Sequence, residues 1–155
     1  MKMKEPYLQV DDATGNGGGL PGPDTLLDDG PLPRIKASEV VTLARDMGVS
    51  KKKLIGALGF HRGEILRKAR NDEYLDERQG QLFEHMLGII ATLNHFYFDG
   101  SRDHTSLAAR REWGEYLDWE PFSLGYRPVS EFLRTIEGQD LVASEIHAGF
   151  YGMCL

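Results

Sequence analysis

The 155 residues are 41% apolar and 27% charged with a formal net charge of −6, enough apolar material for one ordinary domain or two very small ones. A single cysteine, Cys154, excludes an intramolecular disulfide framework and fits a reducing, cytoplasmic setting. The longest apolar run, Met86 to Leu93, falls far short of the ~20 residues a membrane helix needs, and the opening MKMKEPYLQVDD has no apolar secretory core, so no membrane partner is expected.

Residues 1–34 read as a disordered tail. Eleven of them are glycine or proline and no apolar periodicity runs through them, so little burial offsets the entropy of ordering. Order is expected from Ser38, which can cap a helix to Met47 with Val40, Val41, Ala44 and Met47 on one face. Gly48 suits the C-terminal position of that helix. Ser50 caps a second helix over 51–58, ended by Gly59, and a third follows over 62–70. Asp76 to Gln79 resembles a capping box. It opens a long helix over 77–98, where Leu82, Met86, Ile89, Leu93 and Phe96 recur at helical spacing, as a core or a dimer interface requires. A fifth helix is expected over 102–117 and a loop over 121–127. Pro128 then starts a sixth helix with Val129, Phe132, Leu133 and Ile136 on one face, and a seventh runs over 138–150 with Leu141, Val142 and Ile146 inward. No alternating strand pattern occurs, so the fold class is all-α.

Charge is unevenly spread. Residues 36–70 hold nine of the 18 basic but only three of the 24 acidic residues, so this segment carries +6 and the remainder −12. A basic segment in an acidic chain suits a polyanion-binding face, and a solvated helix surface fits the same count. The second and third helices have the layout of a helix-turn-helix: Gly59 in the turn, apolar Phe60 after it, and Ile65 six residues on. The third helix would then enter a major groove. Lys51, Lys52, Lys53, Arg67, Lys68 and Arg70 suit phosphate contacts, and His61 and Arg62 would reach base edges. Ile55 stands where a smaller residue is usual, and Gly63 lies inside the recognition helix.

The C-terminal half carries a second pattern: Trp113, then Leu124–Gly125–Tyr126–Arg127–Pro128, Phe132–Leu133, Gly138 with Val142, and a finish of Ile146–His147–Ala148–Gly149–Phe150–Tyr151. This resembles the toxin-binding domain of Xre/MbcA/ParS-type antitoxins, with Tyr126 where a second glycine is common. With the upstream helices, the resemblance covers about residues 38–152. It implies an Xre-like helix-turn-helix and dimerisation region over 35–98 and a small helical toxin-binding domain over 99–155. It further implies an antitoxin that represses its own operon by binding operator DNA. The partner implied is a RES-like toxin that consumes NAD or transfers ADP-ribose, its active site occluded by the last residues. Trp113, Arg127, His147, Gly149, Phe150 and Tyr151 are the toxin-binding candidates. Phe150, Tyr151 and Met153 suit apolar anchors, although Phe150 and Tyr151 suit self-packing of the last helix as well.

No H-E-x-x-H, metal-spaced cysteines or G-x-S-x-G occurs, and His85 and His95 do not share a helical face at ~100° per residue. Neither an enzyme nor a cofactor or metal is expected. The alternative to the antitoxin reading is a stand-alone helix-turn-helix transcription regulator without a toxin partner.

Overall fold

The computed structural model describes residues 34–153, with side chains to Gly152. The expected tail at 1–34, Arg34 apart, and the side chain of Met153 lie outside the described residues. Within them, six α-helices run as α1 (Ser38–Met47), α2 (Lys51–Ala57), α3 (Arg62–Arg70), α4 (Glu77–Tyr97), α5 (Leu107–Tyr116) and α6 (Ile136–Met153). Two short 3-10 turns, Phe122–Leu124 and Val129–Phe132, lie between α5 and α6. The only β pairing among these residues is an isolated antiparallel bridge between Lys36 and Tyr74, and the all-α expectation holds.

Local chemistry sets most of the boundaries. Gly48 closes α1 in the left-handed region at φ 75°, a conformation that glycine adopts without a Cβ penalty. The start of α1 differs from expectation: Ala37 is the capping residue, without a side-chain bond, and Ser38 is already helical. The Lys36–Tyr74 bridge explains this, because Ala37 N–H donates to the Glu73 carbonyl (3.0 Å) and the backbone fixes the entry. Ser50 caps α2 through the Lys53 N–H. Asp76 and Gln79 complete the capping box of α4, with the Gln79 N–H on the Asp76 carboxylate (2.7 Å) and the Asp76 N–H on Gln79 Oε1 (3.0 Å).

Two expected helices are displaced. α5 starts at Leu107, five residues later than expected, capped by Ser106. The preceding loop is tied by side chains that compete with helical backbone bonds. Asp99 accepts from the Ser101 hydroxyl and N–H and from Asn94 Nδ2, while Asp103 accepts from the Thr105 N–H and hydroxyl. The Ser101 hydroxyl, followed by its N–H, holds the Asp99 carboxyl below the usual carboxylate range. The helix expected from Pro128 is a single 3-10 turn, and the chain bends again before α6 begins at Ile136. The bend brings the Phe132 carbonyl to where a Cβ on Gly138 would lie, so glycine there permits it. Gln139 is buried and donates to the carbonyls of Leu82 (3.2 Å) and Leu133 (3.0 Å). These contacts set the register of α6: Val142 and Ile146 face inward, while Leu141 is 52% exposed and Ile136 36% exposed, contrary to expectation.

One hydrophobic cluster joins residues on both sides of position 98. Val40, Leu43, Leu54, Ile65, Leu82, Met86 and Leu93 belong to it together with Trp113, Leu117, Val129, Leu133, Val142 and Ile146. The apolar stripe of α4 is thereby used within the chain, so it is not the spare dimer surface the periodicity suggested. α1 and α5 make the closest approach. A Cβ on Gly114 would overlap the Met47 carbonyl, and beside it Arg110 forms a part-buried ion pair with Asp46 (2.9 Å) and donates to the His104 carbonyl (2.7 Å).

Gly114→Ala should therefore destabilise the fold by about 2 kcal/mol or more, since the obstruction is backbone rather than a movable side chain. Gly88→Ala, with nothing within 4 Å of its Cβ position, should stabilise α4 by roughly 0.5–1 kcal/mol. Urea unfolding followed by circular dichroism distinguishes the two. Equal effects would remove the close approach as the explanation.

Candidate functional site

The α2–turn–α3 pair presents an apolar inner face and a basic outer one. Leu54, Ile55, Leu58 and Ile65 are fully buried, and Phe60 nearly so. Gly59 turns the chain at φ 77°, and the Phe60 N–H returns to the Ile55 carbonyl (3.1 Å). The turn glycine and the two apolar locks expected from the sequence thus occupy the expected places. Ile55, which stood out as large, is accommodated in the core.

The eight basic candidates separate into three groups. Lys51, Lys52, Arg62 and Arg70 are exposed and form no ion pair with a described residue. Lys53 is bonded to Asp118 (2.6 Å), Arg67 to Glu73 (3.3 Å) and Lys68 to Glu64 (3.1 Å). Lys68 also donates to Gln79 Oε1 (3.3 Å). His61 is the N-cap of α3, its Nδ1 accepting from the Glu64 N–H (3.3 Å), so one ring nitrogen serves the helix. At ~100° per residue, Gly63, Arg67 and Arg70 fall on the side of α3 away from buried Ile65, whereas Arg62, at the helix start, is only about 60° from it.

The six C-terminal candidates do not form one surface. Trp113 is 0% exposed, in the core, and stacks near Tyr116 (6.3 Å), so its role is packing. Arg127 is exposed, paired with Glu131 (2.9 Å) and placed over the Phe132 ring (5.0 Å). The remaining four lie on α6 against the end of α4. Phe150 stacks on Phe96 at 4.3 Å with 13° between rings and meets Tyr97 edge-on. His147 meets Phe96 edge-on at 5.0 Å, and Gly149 lies beside the Tyr97 hydroxyl. Tyr151 is 58% exposed, touching this cluster by ring edges. Self-packing therefore takes Phe150, while Tyr151 projects.

Other residues of functional type were not singled out as candidates from the sequence. Trp119 and Phe122, with Tyr126 of the C-terminal pattern, are exposed on the loop between α5 and α6, a signal legible only as aromatics among turn residues. Tyr126 has a positive φ of 60°, a conformation that glycine adopts more readily than a residue with a Cβ. Arg134 packs against Gly59, 3.1 Å from the position a Cβ would take, and no local pattern announces that contact. Among the described residues no group of three or more His, Cys, Asp or Glu is placed to hold a metal, and no helix is long and apolar enough to cross a membrane.

No family model matches the chain, and neither a curated protein nor a solved structure is significantly similar to it.

The capping role of His61 makes a specific prediction. His61→Ala should destabilise the fold by about 1 kcal/mol, whereas His61→Asp, which keeps an acceptor at the cap, should leave stability nearly unchanged. Thermal melts of both variants check this. Indifference to alanine would mean that the Nδ1 bond contributes nothing to α3.

Proposed function

We propose that this chain is a cytoplasmic antitoxin of the Xre/MbcA/ParS type, which binds operator DNA and neutralises a RES-like toxin that consumes NAD or transfers ADP-ribose. The observation that carries the DNA-binding part is a set of exposed cations, Lys51, Lys52, Arg62 and Arg70, on a buried-core α2–turn–α3 pair. None has an ion-pair partner among the described residues, so their charges are available to replace counterions along a phosphate backbone. In this reading α2 and α3 form a helix-turn-helix, with Arg62 near base edges and the lysines at phosphates. A single unit of this size makes few contacts, so two copies bind as a dimer on paired half-sites.

The toxin-binding part is supported by the sequence resemblance in the C-terminal half and by the exposure of Tyr151 at the end of α6. Phe150 stiffens the end of that helix by stacking on Phe96. Tyr151, with the outer edge of His147, is the anchor offered to the toxin. The alternative, a stand-alone transcription regulator, gains support from the same Phe150 packing, because an aromatic satisfied within its own chain requires no partner.

Two measurements test the proposal. Lys51→Ala with Lys52→Ala should weaken binding to a duplex taken from upstream of the gene. The slope of log affinity against log salt should become shallower by about two, roughly one for each lost phosphate contact. Absence of DNA binding by the unaltered chain would overturn the helix-turn-helix reading. Tyr151→Ala should leave DNA binding and melting temperature nearly unchanged and reduce rescue of cells expressing the toxin encoded beside it, since one buried aromatic anchor contributes ~2 kcal/mol or more. Full rescue by this variant would remove Tyr151 as the anchor, and an unaltered chain without effect on the neighbouring gene product would favour the stand-alone regulator.

A further inference from the structure

The open cleft beside α2 has a volume of about 500 Å³ and a predominantly polar lining. Lys53, Gly56, Arg127, Ser130, Glu131 and Arg134 line it. Three cations thus face one carboxylate, and the cleft draws on two distant parts of the chain. Lys53 and Gly56 come from α2. Arg127, Ser130 and Glu131 come from the second 3-10 turn and its approach, and Arg134 from the bend after it. Arg134 runs its methylenes over Gly59, with Cγ, Cβ and Cδ at 3.1–3.4 Å from that residue's Cβ position. Its side chain therefore lies along the turn that precedes Arg62. No ion pair with a described residue neutralises it, whereas Lys53 is held by Asp118 and Arg127 by Glu131.

We propose that this cleft, with Arg134 as its principal cation, grips a backbone phosphate of duplex DNA flanking the α2–α3 pair. The inference rests on the reading of that pair as the DNA-binding element and extends it. A segment far from the helix pair in sequence, lying within the C-terminal pattern that includes the toxin-binding candidate Arg127, contributes directly to the DNA footprint. Charge selects the occupant. The lining is cationic, and it includes Lys53 and Gly56 of α2 itself, the helix that carries Lys51 and Lys52. A planar guanidinium presents several donors to a phosphate at once. A backbone contact of this kind fixes position without reading sequence.

The test uses the full chain and two duplexes of equal length, one from upstream of its gene and one of random sequence, titrated over a range of salt. Arg134→Gln should weaken binding to both duplexes by the same factor and make the salt slope shallower by about one. Arg134→Lys, which keeps the charge, should recover most of the slope. Glu131→Gln removes the one carboxylate of the lining and frees Arg127, so it should strengthen binding to both duplexes. This second variant decides the matter if changes at Arg134 disturb packing on Gly59, as revealed by circular dichroism melts. An unaltered salt slope in folded Arg134→Gln, or unchanged affinity in Glu131→Gln, overturns the cleft as a phosphate site while DNA binding by α2 and α3 stands. Loss confined to the upstream duplex overturns it as well, because a phosphate contact does not discriminate sequence. Failure of the unaltered chain to bind either duplex removes both readings together.

Discussion

Where α1 and α5 cross, the two helices meet backbone against backbone: Gly114 presents no side chain, and the Met47 carbonyl occupies the place a Cβ would fill. Trp113, next to that glycine, is fully buried. Arg110, one turn earlier, closes the seam with Asp46. Breaking a part-buried pair such as this by removing one partner leaves a charge without compensation in a poor solvent. Shape and charge therefore both fix the two helices at one separation, and the other elements are arranged around that contact.

The crossing also connects two parts of the chain with different proposed roles. α1 packs on α2 and α3, while α5 packs on α4 and leads through the loop to the bend at Leu133–Thr135. Setting α5 against α1 brings the segment after it beside α2, where Lys53 meets Asp118 and Arg134 covers Gly59. The basic helices are thus supported from behind by residues that the sequence assigns to a different half.

The end of α6 illustrates how one aromatic pair divides its labour. Phe150 is half-buried and lies flat on Phe96, and the stack holds the helix against α4. Tyr151, one residue on, is turned by the helical step to the rim of the cluster. Adjacent residues on a helix never share a face, so a pair of neighbouring aromatics serves packing and exposure at once.

Elements whose signals are local were legible from the chain alone. Ser50, Asp76 with Gln79, Gly48 and Gly59 act on backbone groups within a few residues, so they marked helix ends correctly. The stripe of α4 was legible because one face of a long helix must be buried whatever covers it. The α2–turn–α3 pair was legible for the same reasons of turn chemistry and spacing. Contacts made across the fold account for the rest. They moved the cap of α1 from Ser38 to Ala37 through the pairing of Lys36 with Tyr74, whereas side chains within the loop before α5 delayed that helix. The helix expected at Pro128 gave way to a 3-10 turn and a bend that sets the Phe132 carbonyl against Gly138. Long-range contacts paired Lys53 with Asp118, placed Trp113 in the core and turned Leu141 outward, while Arg67 and Lys68 meet acids six and four residues away. The physical reason lies in reach. A cap or a turn is satisfied by neighbours along the chain, whereas burial, ion pairing and close backbone approach depend mostly on residues that only the fold brings near.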